Sequence, residues 1–155
     1  MSAITVQMLS RDQVRSVYPL IREVVPTLDL AGWVRFANRV ANPRYAERGG
    51  VMVARRDARP YPCGMFCYRR EQDLRLGRVL VADYFIALDI LAPDAVLGAL
   101  VSALDELGAR MECDSIRSVL HNGSPEVARG LEAAGHRPEG AVLSKRVAGA
   151  WVEAG

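Results

Sequence analysis

Residues 78–120 read RVLVADYFIALDILAPDAVLGALVSALDELGARMECDSIRSVL, and this stretch decides the fold. Its first part, residues 78–91, is a long run of residue types that favour a strand. Pro93 and Asp94 are typical of a helix start, and apolar residues then recur at helical spacing as far as Leu107. Residues 115–120 predict another strand. Strand, helix and strand in succession predict a βαβ crossover, which places two parallel strands side by side.

The segments on either side of this unit predict a single α+β domain. Before it, the patterns predict a strand at residues 4–9, two helices between residues 10 and 40, and strands at 51–55 and 63–69 that form an antiparallel meander with 78–91. After it, Ser124 and Pro125 begin a last helix, and residues 141–147 predict a final strand. We expect one domain over residues 1–147, with a mixed, mostly antiparallel sheet flanked by helices, and a tail over residues 148–155.

Composition excludes several classes of protein. The chain has 155 residues, half of them apolar and a quarter charged, as in ordinary globular domains. It has neither an apolar run of the ~18 residues that span a bilayer nor the pattern of a signal peptide, so we expect a cytoplasmic protein without membrane contact. No motif indicates nucleic-acid binding. The three cysteines lack the spacing of a disulfide framework or a zinc site, which predicts reduced thiols and no metal.

The end of the chain resembles a known family. Residues 121–136 read HNGSPEVARGLEAAGH, which is similar to the loop and last helix of the GNAT superfamily of N-acyltransferases. The order of the predicted elements over residues 3–147 resembles the same family. This resemblance implies a GNAT-like (acyl-CoA N-acyltransferase) fold, with acetyl-CoA or another acyl-CoA as co-substrate. It also implies direct transfer of the acyl group to a small-molecule or peptide amine.

The resemblance places the diphosphate of the acyl-CoA at the start of the helix after the long strand, where backbone N–H groups and the helix dipole favour an anion. The residues expected to bind the cofactor there are Ile90, Leu91, Val96, Leu97, Gly98 and Ala99, with the amides of residues 96–99 left unpaired. Ser124 takes the place of an Asn that often faces the cofactor arm, although capping the last helix would also explain it.

Three departures from the family pattern bear on activity. Pro93 stands where Gln or Arg is expected, and Asp94 adds a negative charge beside the expected phosphates. Leu131 stands where the family often has the Tyr that protonates the leaving thiolate. A second hypothesis is therefore a GNAT-fold module that has lost catalysis and binds a ligand or a protein, with a homodimer possible for either.

Three residues are candidates for catalysis. Asp83 lies within an otherwise apolar strand and could act as general base, or could face outward and pair with an arginine. Tyr84 follows it, on the opposite face by strand alternation, and could protonate the thiolate or pack on the sheet. His121 ends the next strand, at the edge where a site would lie, and could transfer protons near neutral pH or be an incidental loop residue.

Two further features have weaker interpretations. Asp89 could contact the acceptor amine or mark the solvent face near the end of the strand. The arginines at residues 55, 56, 59, 69 and 70 fall at neighbouring hairpin ends, where they could form a basic rim for a phosphate or carboxylate, or simply a solvated surface.

Overall fold

The computed structural model of the protein describes residues 3–45, 48–57, 59, 61–89, 92–121 and 124–148. The strands are β1 (Ile4–Met8), β2 (Gly49–Arg56), β3 (Pro62–Asp73), β4 (Gly77–Ala87) and β5 (Ser115–Val119). The helices are α1 (Val14–Val24), α2 (Leu30–Val40), α3 (Pro93–Arg110) and α4 (Pro125–Ala133). Short 3-10 turns at Arg11–Gln13 and Pro43–Tyr45 complete the regular elements.

The strands form one sheet in the order β1-β2-β3-β4-β5. The first four are antiparallel to their neighbours, and β5 runs parallel to β4. Helix α3 connects these two parallel strands, which confirms the predicted crossover and the mixed α+β fold. The parallel pairing runs from Val79 opposite Ser115 to Asp83 opposite Val119, and it stops there while β4 continues to Ala87.

Helices cover both faces of the sheet. Leu100 and Leu104 of α3 pack with Phe66 and Leu80 of the sheet in one core, which α4 completes. The second core lies on the opposite face, under α1 and α2. Trp33 of α2 is fully buried there, and its indole N–H donates to the carbonyl of residue 14 at 2.7 Å, which fixes α2 against α1.

The predicted strand at residues 141–147 is wrong. After α4 the chain contacts β5 through side chains: His136 bonds to Ser118, and Glu139 lies near Arg117. Residues 136–147 have no regular structure. An alternating sequence forms a strand only where it meets a partner edge. Residues 149–155, most of the predicted tail, lie outside the described ranges.

Among the described residues, no helix is both long and apolar enough to cross a bilayer. The same part of the chain contains no group of three or more His, Cys, Asp or Glu side chains arranged to hold a metal ion. The domain boundary at residue 147, the cytoplasmic location, the lack of a nucleic-acid partner and the possible homodimer stay predictions.

Candidate active site

A bulge in β4 creates the opening of the candidate site. Met65 of β3 pairs with Ile86 and Cys67 pairs with Asp83, so two residues of β4 face the single residue between them on β3. Tyr84 takes up the irregularity with a φ of +53°, a left-handed conformation that is strained for a tyrosine. Since β4 pairs with β5 only as far as Asp83, the two strands part at the bulge.

The bulge also brings two of the predicted catalytic residues to one face of the sheet. Asp83 pairs across the strands with Cys67, which belongs to the core under α1 and α2. Tyr84 packs against that same core, whereas Phe85 belongs to the core under α3. The prediction that Asp83 and Tyr84 face opposite sides is therefore wrong, because strict alternation does not hold through a bulge.

His121, two residues after the end of β5, completes the cluster. Its ring stacks on Tyr84 with 4.3 Å between the ring centroids and 13° between the planes. Its Nε2 lies 3.5 Å from Oδ2 of Asp83, and Nη1 of Arg69 donates to the same oxygen at 3.1 Å. Asp83 is 7% exposed, so this carboxylate is buried between two cationic partners once His121 is protonated.

Tyr84 and His121 line a cleft between the parted strands, while Asp83 lies beside His121 and outside the lining. The cleft is shallow and open to solvent, with a cavity volume of about 60 Å³. Its lining consists of Val24, Tyr84, Phe85, Leu120, His121, Ser124 and Val127. Mostly apolar walls with a few polar groups at one end are typical of sites that bind small organic molecules.

Burial decides which groups near the cleft keep their protons. Burial, followed by the charges of Asp83 and Cys67, raises the pKa of the Tyr84 phenol. Burial, followed by the charge of Asp83, also raises the pKa of the Cys67 thiol. Both groups stay neutral at physiological pH, so Tyr84 can donate a proton and Cys67 is unsuited to act as a nucleophile.

Ser124 is the N-cap of α4. Its Oγ accepts the N–H of Val127 at 3.4 Å and donates to Glu126 at 3.1 Å. Both readings of this residue are compatible with its position, because it caps the helix and also lines the cleft.

The start of α3 differs from the expected phosphate site. The helix begins at Pro93, so the backbone N–H of Val96 already donates to the carbonyl of Ala92, at 3.4 Å. The prediction of unpaired amides at residues 96–99 is therefore wrong, because these residues lie inside the helix. The side chains of Val96 and Leu97 are buried in the core under α3. Ile90 and Leu91 lie outside the described residues.

Of the other expected contacts on α3, Gly98 faces open space, with no atom within 4 Å of the position a Cβ would occupy. Ala99 is half-buried in the same turn. Gly98 therefore shows no close backbone approach that would require a small residue.

The structure also changes the interpretation of Asp89 and the arginines. The Asp89 side chain is 7% exposed, pairs with Nε of Arg56, and accepts the backbone N–H of Ala92 at 3.2 Å. The prediction that it faces solvent is therefore wrong, and a contact with an acceptor amine stays a prediction. The predicted basic rim is wrong too: strand pairing puts residues 55 and 56 at one end of the β2–β3 hairpin and Arg69 at the other.

Sequence reasoning missed two partners, Arg69 and Arg56. Arg69 is on β3 and binds Asp83 of β4, whereas Arg56 is on β2 and binds Asp89, two residues after the end of β4. The strand register was the available signal: counting back from the predicted β3–β4 turn pairs Arg69 with Val81, two residues from Asp83, and the bulge begins only beyond Asp83.

Comparisons with known proteins identify the fold. No protein-family model and no curated protein sequence matches the chain. Among solved structures, aminoglycoside N-acetyltransferase AAC(6')-Iy with a CoA bisubstrate analogue has a TM-score of 0.77 and 13% identity over 94% of this chain and 99% of that one. Ribosomal-protein-alanine N-acetyltransferase from Brucella melitensis biovar Abortus 2308 has a TM-score of 0.73 and 12% identity, over 94% of this chain and 100% of that one.

A third similar structure is described as a transcriptional regulator from Bacillus halodurans C-125, with a TM-score of 0.76 and 14% identity over 93% of this chain and 99% of that one. These likenesses extend over nearly the whole chain and confirm that it has the fold of the GNAT acetyltransferases. At such low identity they establish the fold and leave the activity to the site itself.

Proposed function

We propose that the protein is an N-acyltransferase that moves an acyl group from a thioester donor, acetyl-CoA or another acyl-CoA, directly to an amine. The observation that supports this most strongly is the meeting of Asp83, Tyr84 and His121 where β4 and β5 part. A proton acceptor and a proton donor lie there beside a cleft, in the fold of proteins that carry out this chemistry.

His121 acts as general base in this proposal. The ring directs Nε2 towards Asp83, which leaves Nδ1 to accept a proton from the acceptor amine. Asp83 acts as a positioning residue, because its buried carboxylate orients the ring and stabilises the imidazolium that forms. As the amine nitrogen bonds to the acyl carbon, the carbon–sulfur bond breaks and the thiolate takes a proton from the Tyr84 hydroxyl.

The thioester arm has a matching place in the cleft. Beyond the bulged Tyr84 the β5 side of β4 faces the opening, over residues 85–87. Backbone groups of an extended strand can pair with the amides of a linear ligand, as they do with an added strand. Phe85, Leu120 and Val127 provide apolar walls for the rest of the arm.

The test is thiol release from acetyl-CoA in the presence of a panel of amines. The names of the similar structures suggest the first acceptors: an aminoglycoside such as neamine, and a peptide with an N-terminal alanine. We expect turnover with at least one small-molecule or peptide amine. His121→Gln should lower kcat about 100-fold and remove the low-pH limb of the rate profile.

The matched control is His136→Gln, because the chain has two histidines and His136 bonds to Ser118 on β5 without lining the cleft. This variant should keep the wild-type rate and pH profile. Equal losses in both histidine variants would contradict the assignment of His121 as base.

The alternative is a GNAT-fold module that binds a ligand or protein without catalysis. One observation favours it: the start of α3 carries the carboxylates of Asp89 and Asp94 where the diphosphate of the donor would lie. Absence of thiol release with every amine, together with absence of binding of any thioester donor analogue, would support this alternative.

A further inference from the structure

The N–H groups at the start of α3 are largely taken up by the protein itself. Ala92 donates to the Asp89 carboxylate at 3.2 Å, and Ala95 and Val96 both donate to the Ala92 carbonyl, at 3.2 and 3.4 Å. Pro93 has no N–H to offer. A diphosphate at a helix start is normally bound by several free N–H groups at once. The start of α3 is therefore poorly suited to bind a diphosphate.

The charges at the same place also oppose a diphosphate. The carboxylate of Asp89 already lies at the helix start, where it pairs with Arg56. The Asp89 side chain is 7% exposed and the Arg56 side chain 14% exposed. Asp94 adds a second, exposed carboxylate in the first turn. This charge interacts favourably with the helix dipole and repels a bound phosphate. The position that would attract an anionic ligand is therefore filled by the chain's own carboxylate.

The cleft between β4 and β5, in contrast, fits the acylated end of the donor. It is open, mostly apolar, and bordered by the part of β4 that follows the bulge, residues 85–87. We infer that the protein recognises its donor through the acylated pantetheine arm and not through the nucleotide diphosphate, so that its donor class is acyl-pantetheine thioesters, whether or not they carry the nucleotide. This inference rests on the proposed acyl transfer and specifies the donor.

The test compares three probes by calorimetric titration of the full chain. These are the S-ethyl thioether of CoA, the S-ethyl thioether of pantetheine, and adenosine 3',5'-bisphosphate; the thioethers cannot transfer an acyl group. We expect the two thioethers to bind with dissociation constants within about threefold of each other. We expect adenosine 3',5'-bisphosphate at millimolar concentration to leave the binding of both unchanged.

The outcomes separate this inference from the proposed function. If the CoA thioether binds 100-fold more tightly than the pantetheine thioether and the bisphosphate displaces it, the inference is overturned while acyl transfer from CoA stands. If neither thioether binds up to millimolar concentration, both the inference and the proposed function fail.

A pair of variants tests the physical cause. Asp94→Asn removes the carboxylate in the first turn of α3, and Asp105→Asn removes an exposed carboxylate about 16 Å further along the same helix. We expect Asp94→Asn to strengthen binding of the CoA thioether about threefold or more at low salt, without changing that of the pantetheine thioether. Asp105→Asn should change neither. Equal effects of the two variants, or no effect of Asp94→Asn on either probe, would show that Asp94 does not repel the nucleotide.

Discussion

At the scale of single residues, Asp83 shows what a sequence can and cannot predict about a site. An acid inside the apolar run of residues 78–91 is conspicuous, because a buried carboxylate requires partners. Its actual partners, Arg69 and His121, come from another strand and from a loop, so local pattern gives no sign of them. The prediction that Tyr84 and Asp83 face opposite sides of the sheet was wrong for a similar reason, because no residue pattern indicated the bulge.

The carboxylates of Asp83 and Glu71 both contact Arg69. Neutralising each in turn distinguishes the role of Asp83 in orienting His121 from its ion pair with Arg69. Asp83→Asn should lower kcat about 10- to 100-fold, because a neutral amide no longer stabilises protonated His121. It should also lower the free energy of unfolding by about 1–3 kcal/mol, since the buried site loses charge-assisted hydrogen bonds. The measurements are the pH dependence of the rate and urea denaturation.

Glu71→Gln is the matched control, because Glu71 accepts from Nε of Arg69 at 2.7 Å but its side chain is 43% exposed. It should leave the rate unchanged and alter stability by less than about 1 kcal/mol. A rate loss as large as that of Asp83→Asn would mean that the orientation of Arg69, and not of His121, controls the reaction.

Tyr84 offers a second prediction at this scale, because its raised pKa keeps the phenol protonated at the pH of catalysis. Tyr84→Phe preserves the ring that stacks on His121 and removes only the hydroxyl. We expect kcat to fall about 100-fold, as for loss of a general acid, with the affinity for the pantetheine thioether unchanged. Steady-state kinetics with titration of that thioether is the check. An unchanged kcat would transfer the role of proton donor to another group, such as solvent.

At the scale of elements, amphipathic pattern and turn residues predicted four helices and all five strands of the sheet, because each has an apolar face that pattern can reveal. The final strand at residues 141–147 was wrong because a strand also needs an edge to pair with, which pattern does not show. The start of α3 was predicted correctly at Pro93, but the unpaired amides were placed at residues 96–99, which follow the first turn and already bond within the helix.

The β3–β4 hairpin gives a prediction about stability and pH. Asp73 ends β3 and accepts from Nη2 of Arg117 on β5 at 2.8 Å. That bond, followed by the backbone N–H groups of Leu76 and Arg75, lowers the pKa of Asp73 from 3.8 to about 2. A carboxyl with a lowered folded-state pKa stabilises the fold above pH 3.8, and the stabilisation is lost as the pH falls through 3.8 towards 2.

Asp73→Asn keeps a side-chain oxygen for the turn and removes only the charge. The variant should unfold more easily than the wild type at neutral pH, and this difference should shrink as the pH is lowered through 3.8. Urea denaturation at a series of pH values measures it. Asp105→Asn, on the exposed side of α3, is the control and should show no such pH-dependent gap. A gap for Asp73→Asn that stays constant down to acid pH would mean that the charge of Asp73 does not stabilise the hairpin.

At the scale of the whole molecule, the fold follows from one feature that the sequence makes plain. The strand–helix–strand unit of residues 78–120 requires a parallel pair, and the antiparallel meander of the earlier strands extends the sheet on the β3 side. The site follows less directly, because the cleft exists only where β4 is longer than β5 and bulged at Tyr84. Strand lengths and bulges are set by packing between distant segments, which a single sequence does not display.

The last prediction concerns which parts of the chain belong to the cooperative fold. Leu100 is fully buried between α3 and the sheet, whereas Leu143 in the segment after α4 is 93% exposed. Leu100→Ala should lower the free energy of unfolding by about 2–5 kcal/mol, because it leaves a cavity in the core. Leu143→Ala makes the same chemical change outside the core and should alter it by less than about 0.5 kcal/mol.

Thermal and urea unfolding of the two variants, each at two protein concentrations, distinguishes the possibilities. If Leu143→Ala destabilised the protein as much as Leu100→Ala at every concentration, residues 141–147 would pack within the same chain, as the sequence pattern predicted. A loss seen only at high protein concentration would mean that this segment packs against a second copy of the chain. No loss at either concentration would place the boundary of the stable fold before residue 141, since α4 and the contacts of His136 and Glu139 then suffice to cover β5.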